Sequence, residues 1–144
     1  SPNVLAGGKR PRTTLTPTVI LKDGKPFLAI STPGGDSQDQ QILNVLLNLM
    51  DFDMDLQAAI EAPRINSDHP HSSFDSHESV PGQLEIESRV PTSIMDDLRA
   101  RGHLLRVVGP YAMSTGVVAV GVNPKTGTLR GGADPRRERY MFGW

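Results

Sequence analysis

Two adjacent glycines, Gly34 and Gly35, separate an apolar segment from a run with helical periodicity, in the stretch ISTPGGDSQDQQ (residues 30–41). Glycines at the end of a strand either permit a positive φ in a tight turn or let the main chain approach another group closely. If a helix follows, its first N–H groups lack acceptors within the helix and point back toward the glycines, where an anion can bind. The corner therefore has two interpretations, a simple turn or an anion-binding backbone.

The segments on either side of this corner carry clear local signals. Residues 19–21 and 27–30 are apolar runs separated by an Asp-Gly pair, which predicts a β-hairpin. Asp36 or Ser37 is a suitable N-cap for a helix whose apolar residues recur at spacings of three and four. Those residues are Ile42, Leu43, Leu46, Leu47, Leu49 and Met50. Because they cover a wide face, we expect this helix to be buried.

The middle of the chain predicts a short helix and a long loop. Asp55 is suited to cap a helix that continues through Ala62, and Pro63 ends it because proline disfavours helical geometry at the preceding residue. Residues 66–83 are polar, contain two prolines and show neither helical nor strand periodicity, so we expect a surface loop there. Residues 1–15 are interpreted as a polar loop as well.

The second half of the chain mixes strands with one helix. The segment LEIES predicts a short strand, and Pro91 fits the first turn of a helix that Gly102 stops. HLLRVVG and TGVVAVGVN are typical of strands, and NPKTG turns the second of them back. This mixed order of hairpins, helices and strands predicts an α+β fold with a largely antiparallel sheet in a single domain.

Charge and composition narrow the classes of partner. The 144 residues include 15 Lys and Arg against 16 Asp and Glu, so no overall field favours nucleic acid or an anionic membrane. The absence of cysteine excludes disulfides and thiol catalysis. No segment approaches the roughly 20 apolar residues of a spanning helix. We therefore expect small-molecule or protein partners, with no nucleic acid and no membrane.

Adjacent hydroxyls at Thr13 and Thr14 precede the first predicted strand. Paired hydroxyls can bind a carboxylate or an ammonium group, and Arg10 or Arg12 can add charge. The alternative is a solvated loop with turn-forming threonines, and the residues alone favour that simpler interpretation.

A histidine-rich stretch, DHPHSSFDSHE, offers ligand types for a divalent metal. They are Asp68, His69, His71, Asp75, His77 and Glu78. Their spacing matches no standard ligand arrangement, so we predict a hydrated loop and no metal.

The C-terminal stretch GGADPRRER places Asp134 beside Arg136, Arg137 and Arg139. Basic runs of this length are usually solvated or form local ion pairs, and a neutral domain argues against a nucleic-acid patch. Aromatic side chains follow, and we expect them to pack the tail onto the body of the protein. They are Tyr140, Phe142 and Trp144.

Taken in order, several of these segments resemble the C-terminal part of the gamma-glutamyltransferase (gamma-glutamyltranspeptidase) family. They are GKRPRTTLTPTVILKDGKPFLAISTPGG, LNLMDFDMDLQAAIEAPRI, GH and GGADPRR, from about Gly8 to Arg137. The resemblance implies an N-terminal-nucleophile hydrolase with an αββα sandwich that the large subunit completes. In such a precursor, self-cleavage exposes a threonine that attacks the γ-glutamyl carbonyl of glutathione and related amides, without metal or organic cofactor.

The resemblance also implies roles for four residues. Gly34 and Gly35 would donate oxyanion-hole N–H groups, and Thr13 and Thr14 fall where the family has two serines that bind the substrate α-carboxylate. The usual Ser-Arg-Ile after the glycines is replaced by Asp-Ser-Gln at residues 36–38. A carboxylate there would repel a glutamyl carboxylate, so an acylase-like relative acting on another amide is an alternative.

In the family the nucleophile lies well upstream of the threonine pair. Ser1 is a hydroxyl beside a free amine, as N-terminal-nucleophile enzymes require, but its position in the middle of the small subunit argues against that role. We therefore expect this chain to be inactive alone and to need the large subunit and the N-terminal part of the small subunit. A non-catalytic binding or assembly module is the competing hypothesis. Uncovered strand edges and an apolar face favour self-association of the chain, and the resemblance leaves the compartment open.

Overall fold

Two small β-sheets and three α-helices make up the part of the chain described by the computed structural model, residues 4–74 and 76–143. The strands are β1 (Thr18–Lys22), β2 (Lys25–Ser31), β3 (Ile65–Ser67), β4 (Gln83–Glu87), β5 (Leu104–Val108), β6 (Val118–Val122) and β7 (Leu129–Ala133). The helices are α1 (Gln38–Met50), α2 (Leu56–Glu61) and α3 (Thr92–Ala100). The predicted α+β class is confirmed.

The larger sheet is antiparallel throughout, with the strand order β1-β2-β6-β7. The predicted hairpin forms its first two strands, and Asp23 and Gly24 turn the chain with φ values of 53° and 74°. The smaller sheet has the order β3-β4-β5, in which β4 and β5 are parallel and α3 lies between them in sequence. The parallel pair is the exception to the predicted antiparallel pairing.

Helices α1 and α2 pack against the larger sheet and form the hydrophobic core with it. The core residues are Leu28, Ile30, Ile42, Val45, Leu56, Ala59, Ile60, Val117 and Ala119. The predicted cap of α2 is confirmed, because the Asp55 side chain accepts a hydrogen bond from the Gln57 N–H. The proline at position 63 follows the end of this helix, as predicted.

Only one face of α1 is buried, so the prediction of a buried helix is wrong for the other face. Ile42 and Val45 lie in the core, whereas Leu43, Leu47 and Met50 are 55%, 43% and 58% exposed. The sheet covers one side of the helix, and nothing in the described chain forms a layer on the other side. The apolar periodicity of the sequence predicts that the helix has an apolar face, but it does not predict which element packs against that face.

The segment predicted as a loop from 66 to 83 is shorter in the structure. Residues 66 and 67 belong to β3 and residue 83 to β4, since both strands pair with each other in an antiparallel register. The connection between them, residues 68–82, returns over the start of α1. This return places loop side chains beside the glycine corner.

The C-terminal aromatic side chains do not pack as predicted. Tyr140 is 74% exposed and Phe142 is 86% exposed, while Trp144 lies outside the described residues. Met141 packs against Gly131 instead, where an added Cβ would collide with the methionine side chain. No helix among the described residues is both long and apolar enough to cross a membrane.

Candidate active site

The chain turns sharply between β2 and α1 at the glycine pair. Gly34 has φ 138° and Gly35 has φ 55°, and a single 3-10 turn over Gly35–Ser37 leads directly into α1. Both φ values lie in the region that favours glycine over residues with a Cβ. Within residues 4–74 and 76–143, no backbone carbonyl accepts from the N–H of either glycine. The corner thus presents two free donors at the start of a helix, where the helix dipole adds partial positive charge.

Gly34 separates two cavities. One, of about 670 Å³, is lined by Gly34 together with Arg12, Asp36, Asn66 and residues of the loop 68–82. The other, of about 560 Å³, lies on the other side of the turn and is lined mainly by residues 15–17 and 31–33. An acyl group and its leaving group could therefore approach the corner from different sides.

The two threonines lie beside these cavities and are not in their walls. Thr13 is exposed, and its Oγ1 accepts a hydrogen bond from the Leu15 N–H at 3.2 Å. Thr14 is half-buried, and neither threonine lines either cavity in the described chain. Arg12, which precedes them, lines the larger cavity. The structure thus brings the arginine to the glycine corner and leaves the hydroxyl pair at its margin.

Gln38 fixes this N-terminal segment to the start of α1. Its Oε1 accepts hydrogen bonds from the Thr16 N–H at 3.2 Å and from the Thr16 hydroxyl at 3.3 Å. Gln38 is buried and Thr16 is half-buried, so the two bonds are partly shielded from water. Sequence reasoning missed this role, because an isolated glutamine in the first turn of a helix is usually solvated.

Asp36 is an acidic group in the wall of the larger cavity. Its carboxylate accepts hydrogen bonds from the Ser73 N–H at 2.6 Å and from the Ser73 hydroxyl. Partial burial opposes ionisation, but the Ser73 bonds and the positive charge of Arg12 outweigh it and lower the pKa of Asp36 below its ordinary value. The carboxylate is therefore charged at neutral pH, as its position after the glycines suggested.

The same hydrogen bonds bring the loop 68–82 over the corner. Phe74, the residue after Ser73, packs against Gly35, where an added Cβ would lie 2.8 Å from Phe74 Cε2. The ring is half exposed and forms an apolar cover beside the polar cavity. Sequence reasoning missed this contact, because an isolated phenylalanine in a polar loop has no periodicity to assign it.

The histidines of this loop are engaged within it. His71 Nδ1 lies 3.2 Å from the His77 carbonyl oxygen, and His77 Nδ1 lies 2.8 Å from the Ser72 carbonyl oxygen. Over residues 4–74 and 76–143, no group of three His, Asp or Glu side chains is arranged to hold a metal. Asp75 lies outside the described residues.

A buried ion network lies behind the corner. Arg64 Nη1 is 2.7 Å from Asp134 Oδ2, Arg136 Nη1 is 3.1 Å from Asp134 Oδ1, and Arg136 Nε is 2.6 Å from Glu87 Oε1. None of these four side chains is exposed. Burial and the nearby positive charge of Arg136 lower the pKa of Arg64 to about 10, although Asp134 opposes this change. The guanidinium therefore stays protonated at neutral pH.

The prediction of a basic run that is solvated or forms local ion pairs is confirmed for Arg137 and Arg139, which are exposed, and for the pair of Arg136 with Asp134, but it did not include the burial of that pair. Asp134 and Arg136 do form a local pair, but both are buried and bind partners far away in sequence. Arg64 was not singled out at all, because a lone arginine after Pro63 carries no pattern that distinguishes a buried side chain from a solvated one. Burial of these charges is tolerated because they are paired and hydrogen-bonded.

A comparison with protein families agrees with this architecture. The model of the gamma-glutamyltranspeptidase family matches residues 1–144. The chain belongs to the gamma-glutamyltranspeptidase family. Its structural neighbours include gamma-glutamyltranspeptidases with the N-terminal-nucleophile hydrolase fold, which confirms the predicted fold as well as the family.

Its relatives include both glutathione hydrolases and acylases. The chain is 30% identical over 142 residues to the glutathione hydrolase proenzyme of Bacillus subtilis (strain 168). The matched region covers 98% of this chain and 22% of that protein. It is 35% identical over 129 residues to the acylase ACY 1 proenzyme of Pseudomonas sp. (strain SE83), covering 90% of the chain and 20% of that protein. A solved mutant of Helicobacter pylori gamma-glutamyltranspeptidase superimposes with a TM-score of 0.76 at 30% identity, covering 94% of this chain and 67% of the other.

The chain spans about a fifth of the length of the two curated relatives, 22% and 20%, and both are proenzymes. This extent is consistent with a precursor in which other segments complete the catalytic site. Ser1, rejected as a nucleophile from the sequence, lies outside the described residues.

Proposed function

We propose that this chain supplies the oxyanion-binding corner and part of the substrate site of an enzyme that transfers or hydrolyses γ-glutamyl groups. The nucleophile is a threonine upstream of the chain, exposed when the precursor cleaves itself. Its hydroxyl attacks the amide carbonyl of glutathione or a related compound, and its own α-amine takes the hydroxyl proton. The leaving amine is then protonated, and water or an acceptor amine releases the acyl group from the threonine.

The observation that carries this proposal is the pair of unpaired N–H groups at Gly34 and Gly35 at a helix start, with Gly34 in the walls of two cavities. The carbonyl oxygen becomes negative when the nucleophile adds, and preorganised donors stabilise that charge in the transition state. Loss of one such donor typically costs about 2.7–4 kcal/mol.

The substrate carboxylate is assigned to the N-terminal segment. Thr13 and Thr14 take the place of the two family serines, and Arg12 lies in the wall of the larger cavity. The threonine hydroxyls are peripheral here, and we attribute their final placement to the segments that complete the site. Without those segments and the nucleophile, the chain alone is inactive.

An acylase specificity is the second candidate. The charged Asp36 lines the cavity beside Gly34, where it opposes an anionic acyl group. The similarity to the acylase ACY 1 proenzyme favours the same interpretation. The two candidates share the acyl-threonine chemistry and differ in the acyl group.

The test uses the full-length protein. Mass spectrometry of the purified protein detects self-cleavage, and release of p-nitroaniline is followed with γ-glutamyl-p-nitroanilide and, in parallel, phenylacetyl-p-nitroanilide, whose acyl group is uncharged. Cleavage with release from the γ-glutamyl compound supports the first candidate, and release from the phenylacetyl compound alone supports the acylase. An intact precursor that hydrolyses neither compound contradicts both and favours a non-catalytic binding or assembly module.

A further inference from the structure

Thr115 contacts the glycine corner on one side and the buried ion network on the other. A Cβ added at Gly34 would lie 2.8 Å from Thr115 Cγ2, so the threonine methyl packs directly on the Gly34 main chain. The Thr115 hydroxyl accepts a hydrogen bond from Arg64 Nη1 at 3.4 Å. Thr115 is buried, so both contacts are closed to solvent.

The ion pair holds the segment that carries Thr115. Asp134, the partner of Arg64, also accepts a hydrogen bond from the Val117 N–H at 2.9 Å through the same Oδ2. The Asp134 N–H in turn donates to the Val117 carbonyl at 3.0 Å. These bonds fix the backbone two residues after Thr115 and the guanidinium that binds its hydroxyl.

A second set of hydrogen bonds joins this segment to Thr32 and Pro33, the two residues before the glycines. The Gly116 N–H donates to Thr32 Oγ1 at 3.1 Å, and the Thr32 hydroxyl donates to the Pro33 carbonyl at 2.8 Å. The segment around Thr115 is therefore bonded to the chain just upstream of Gly34. The Thr115 methyl therefore contacts Gly34 from a backbone segment that hydrogen bonds fix to Asp134 and to Thr32.

Such a contact matters because glycine places no restraint of its own on the peptide that follows it. The N–H of Gly35 belongs to the peptide between the two glycines, and its direction depends on rotation about the Gly34 main chain. Glycine populates both signs of φ about equally, so the sequence alone does not hold that peptide in one orientation. A contact from another segment of the chain is therefore needed to hold the Gly34–Gly35 peptide in one orientation.

We propose that Thr115 is a positioning residue for the oxyanion-binding corner. Its methyl group restricts the Gly34 main chain and so directs the Gly35 N–H, while its hydroxyl couples this restraint to the Arg64–Asp134 pair. The inference rests on the proposed function, because the positioning serves acyl transfer at these glycines.

The two halves of the side chain therefore have separable effects. Thr115→Ser removes the methyl and keeps the hydroxyl, so it loosens Gly34 while Arg64 keeps its acceptor. Thr115→Val keeps a methyl toward Gly34 and removes the hydroxyl, so a buried guanidinium loses one acceptor, which destabilises the fold. A purely structural role predicts instead that kcat falls in step with stability in both variants.

The experiment measures kcat, KM and the melting temperature of the full-length wild type, Thr115→Ser and Thr115→Val. The substrate is the p-nitroanilide that the wild type hydrolyses. We expect kcat to fall on the order of tenfold in Thr115→Ser, less than the about 10²–10³-fold loss of a whole donor, with KM little changed. Thr115→Val has the lower melting temperature of the two and retains the higher kcat. Thr126→Ser, in an exposed turn, is the matched control with unchanged kcat.

Rescue provides a second readout. Gly34→Ala brings a Cβ against the Thr115 methyl, and Thr115→Ser removes that methyl. The double variant Gly34→Ala/Thr115→Ser therefore retains a higher kcat than Gly34→Ala alone. If the wild type turns over substrate and Thr115→Ser matches it in kcat, or the double variant shows no rescue, the positioning role is overturned and the proposed function stands. A wild type without turnover overturns both.

Discussion

Arg64 and Asp134 form an ion pair of 2.7 Å in which neither side chain is exposed. Arg64 lies just before β3 of the smaller sheet, and Asp134 lies just after β7 of the larger sheet. Arg136 extends the contact to Glu87 at the end of β4. This buried ion network thus joins the ends of strands from both sheets behind the glycine corner.

Removal of one charge from this pair is expected to be strongly destabilising. Asp134→Asn leaves Arg64 buried without its counter-ion, which costs about 3–5 kcal/mol in comparable buried pairs. Asp97→Asn is the control, because Asp97 pairs with Arg101 at 2.8 Å on the surface of α3, where such a pair is worth about 0.5 kcal/mol or less. Thermal denaturation of the full-length protein compares the two. Equal melting temperatures would show that the buried pair contributes no more than the surface pair.

Asp36 is expected to select against anionic acyl groups. Asp36→Asn removes the charge with little change in shape, and two charges about 4 Å apart in water repel by about 1 kcal/mol. KM for glutaryl-p-nitroanilide should therefore fall about fivefold. The uncharged phenylacetyl-p-nitroanilide, assayed in parallel, should show no change. A similar fall in KM for both compounds would mean that the variant alters the cavity shape and not its charge.

The stability contributed by Asp36 depends on pH in a defined direction. Its pKa is lowered in the folded protein by the Ser73 hydrogen bonds and Arg12, which outweigh partial burial. The ionised form therefore stabilises the folded state fully above the unfolded pKa of about 3.9, and this contribution is lost as pH falls through the lower folded value. The difference in melting temperature between wild type and Asp36→Asn should be constant at neutral pH and diminish in acid. A difference that grows in acid would contradict the lowered pKa.

The isolated chain is expected to self-associate. Leu43 and Leu47 on the outer face of α1 are exposed, as are Val19 and Leu21 on the edge strand β1. Uncovered apolar faces and strand edges favour association. Light scattering on residues 1–144 should give a dimer or a higher oligomer. The variant Leu43→Lys/Leu47→Lys should shift the distribution toward monomer. A monodisperse monomer of the unmodified chain would contradict this prediction.

Local structure followed from the sequence at several turns and helix ends that one or two residues determine, although the suggested N-cap Ser37 forms no side-chain cap hydrogen bond with α1. The Asp-Gly pair at 23 and 24 specified the first hairpin, Asp55 the cap of α2, and Gly102 the end of α3, where it has φ 94°. Each signal acts through the backbone of its own neighbourhood. Tertiary context had little to override at these positions.

The contacts that build the candidate site did not follow from the sequence. Thr115 meets Gly34 across 81 positions of the chain, and Arg64 meets Asp134 across 70, as their numbers show. Neither arginine nor threonine carries a pattern that distinguishes a buried contact from a solvated one. The exposed face of α1 was wrongly predicted to be buried for a related reason. Apolar periodicity is the same whether or not the described residues supply the element that packs against that face.

Stabilisation of an oxyanion by the glycine pair is tested with a matched pair of glycine variants. Gly35→Ala places a Cβ at φ 55° against Phe74, whereas Gly24→Ala places one at φ 74° in the hairpin turn, with open space around it. Both carry the cost of a positive φ, but only the first alters the oxyanion-binding corner. In the full-length protein, kcat should fall about 10²–10³-fold in Gly35→Ala and stay at the wild-type value in Gly24→Ala. Equal kcat values in a folded Gly35→Ala and the wild type would contradict the account and leave the corner as a turn.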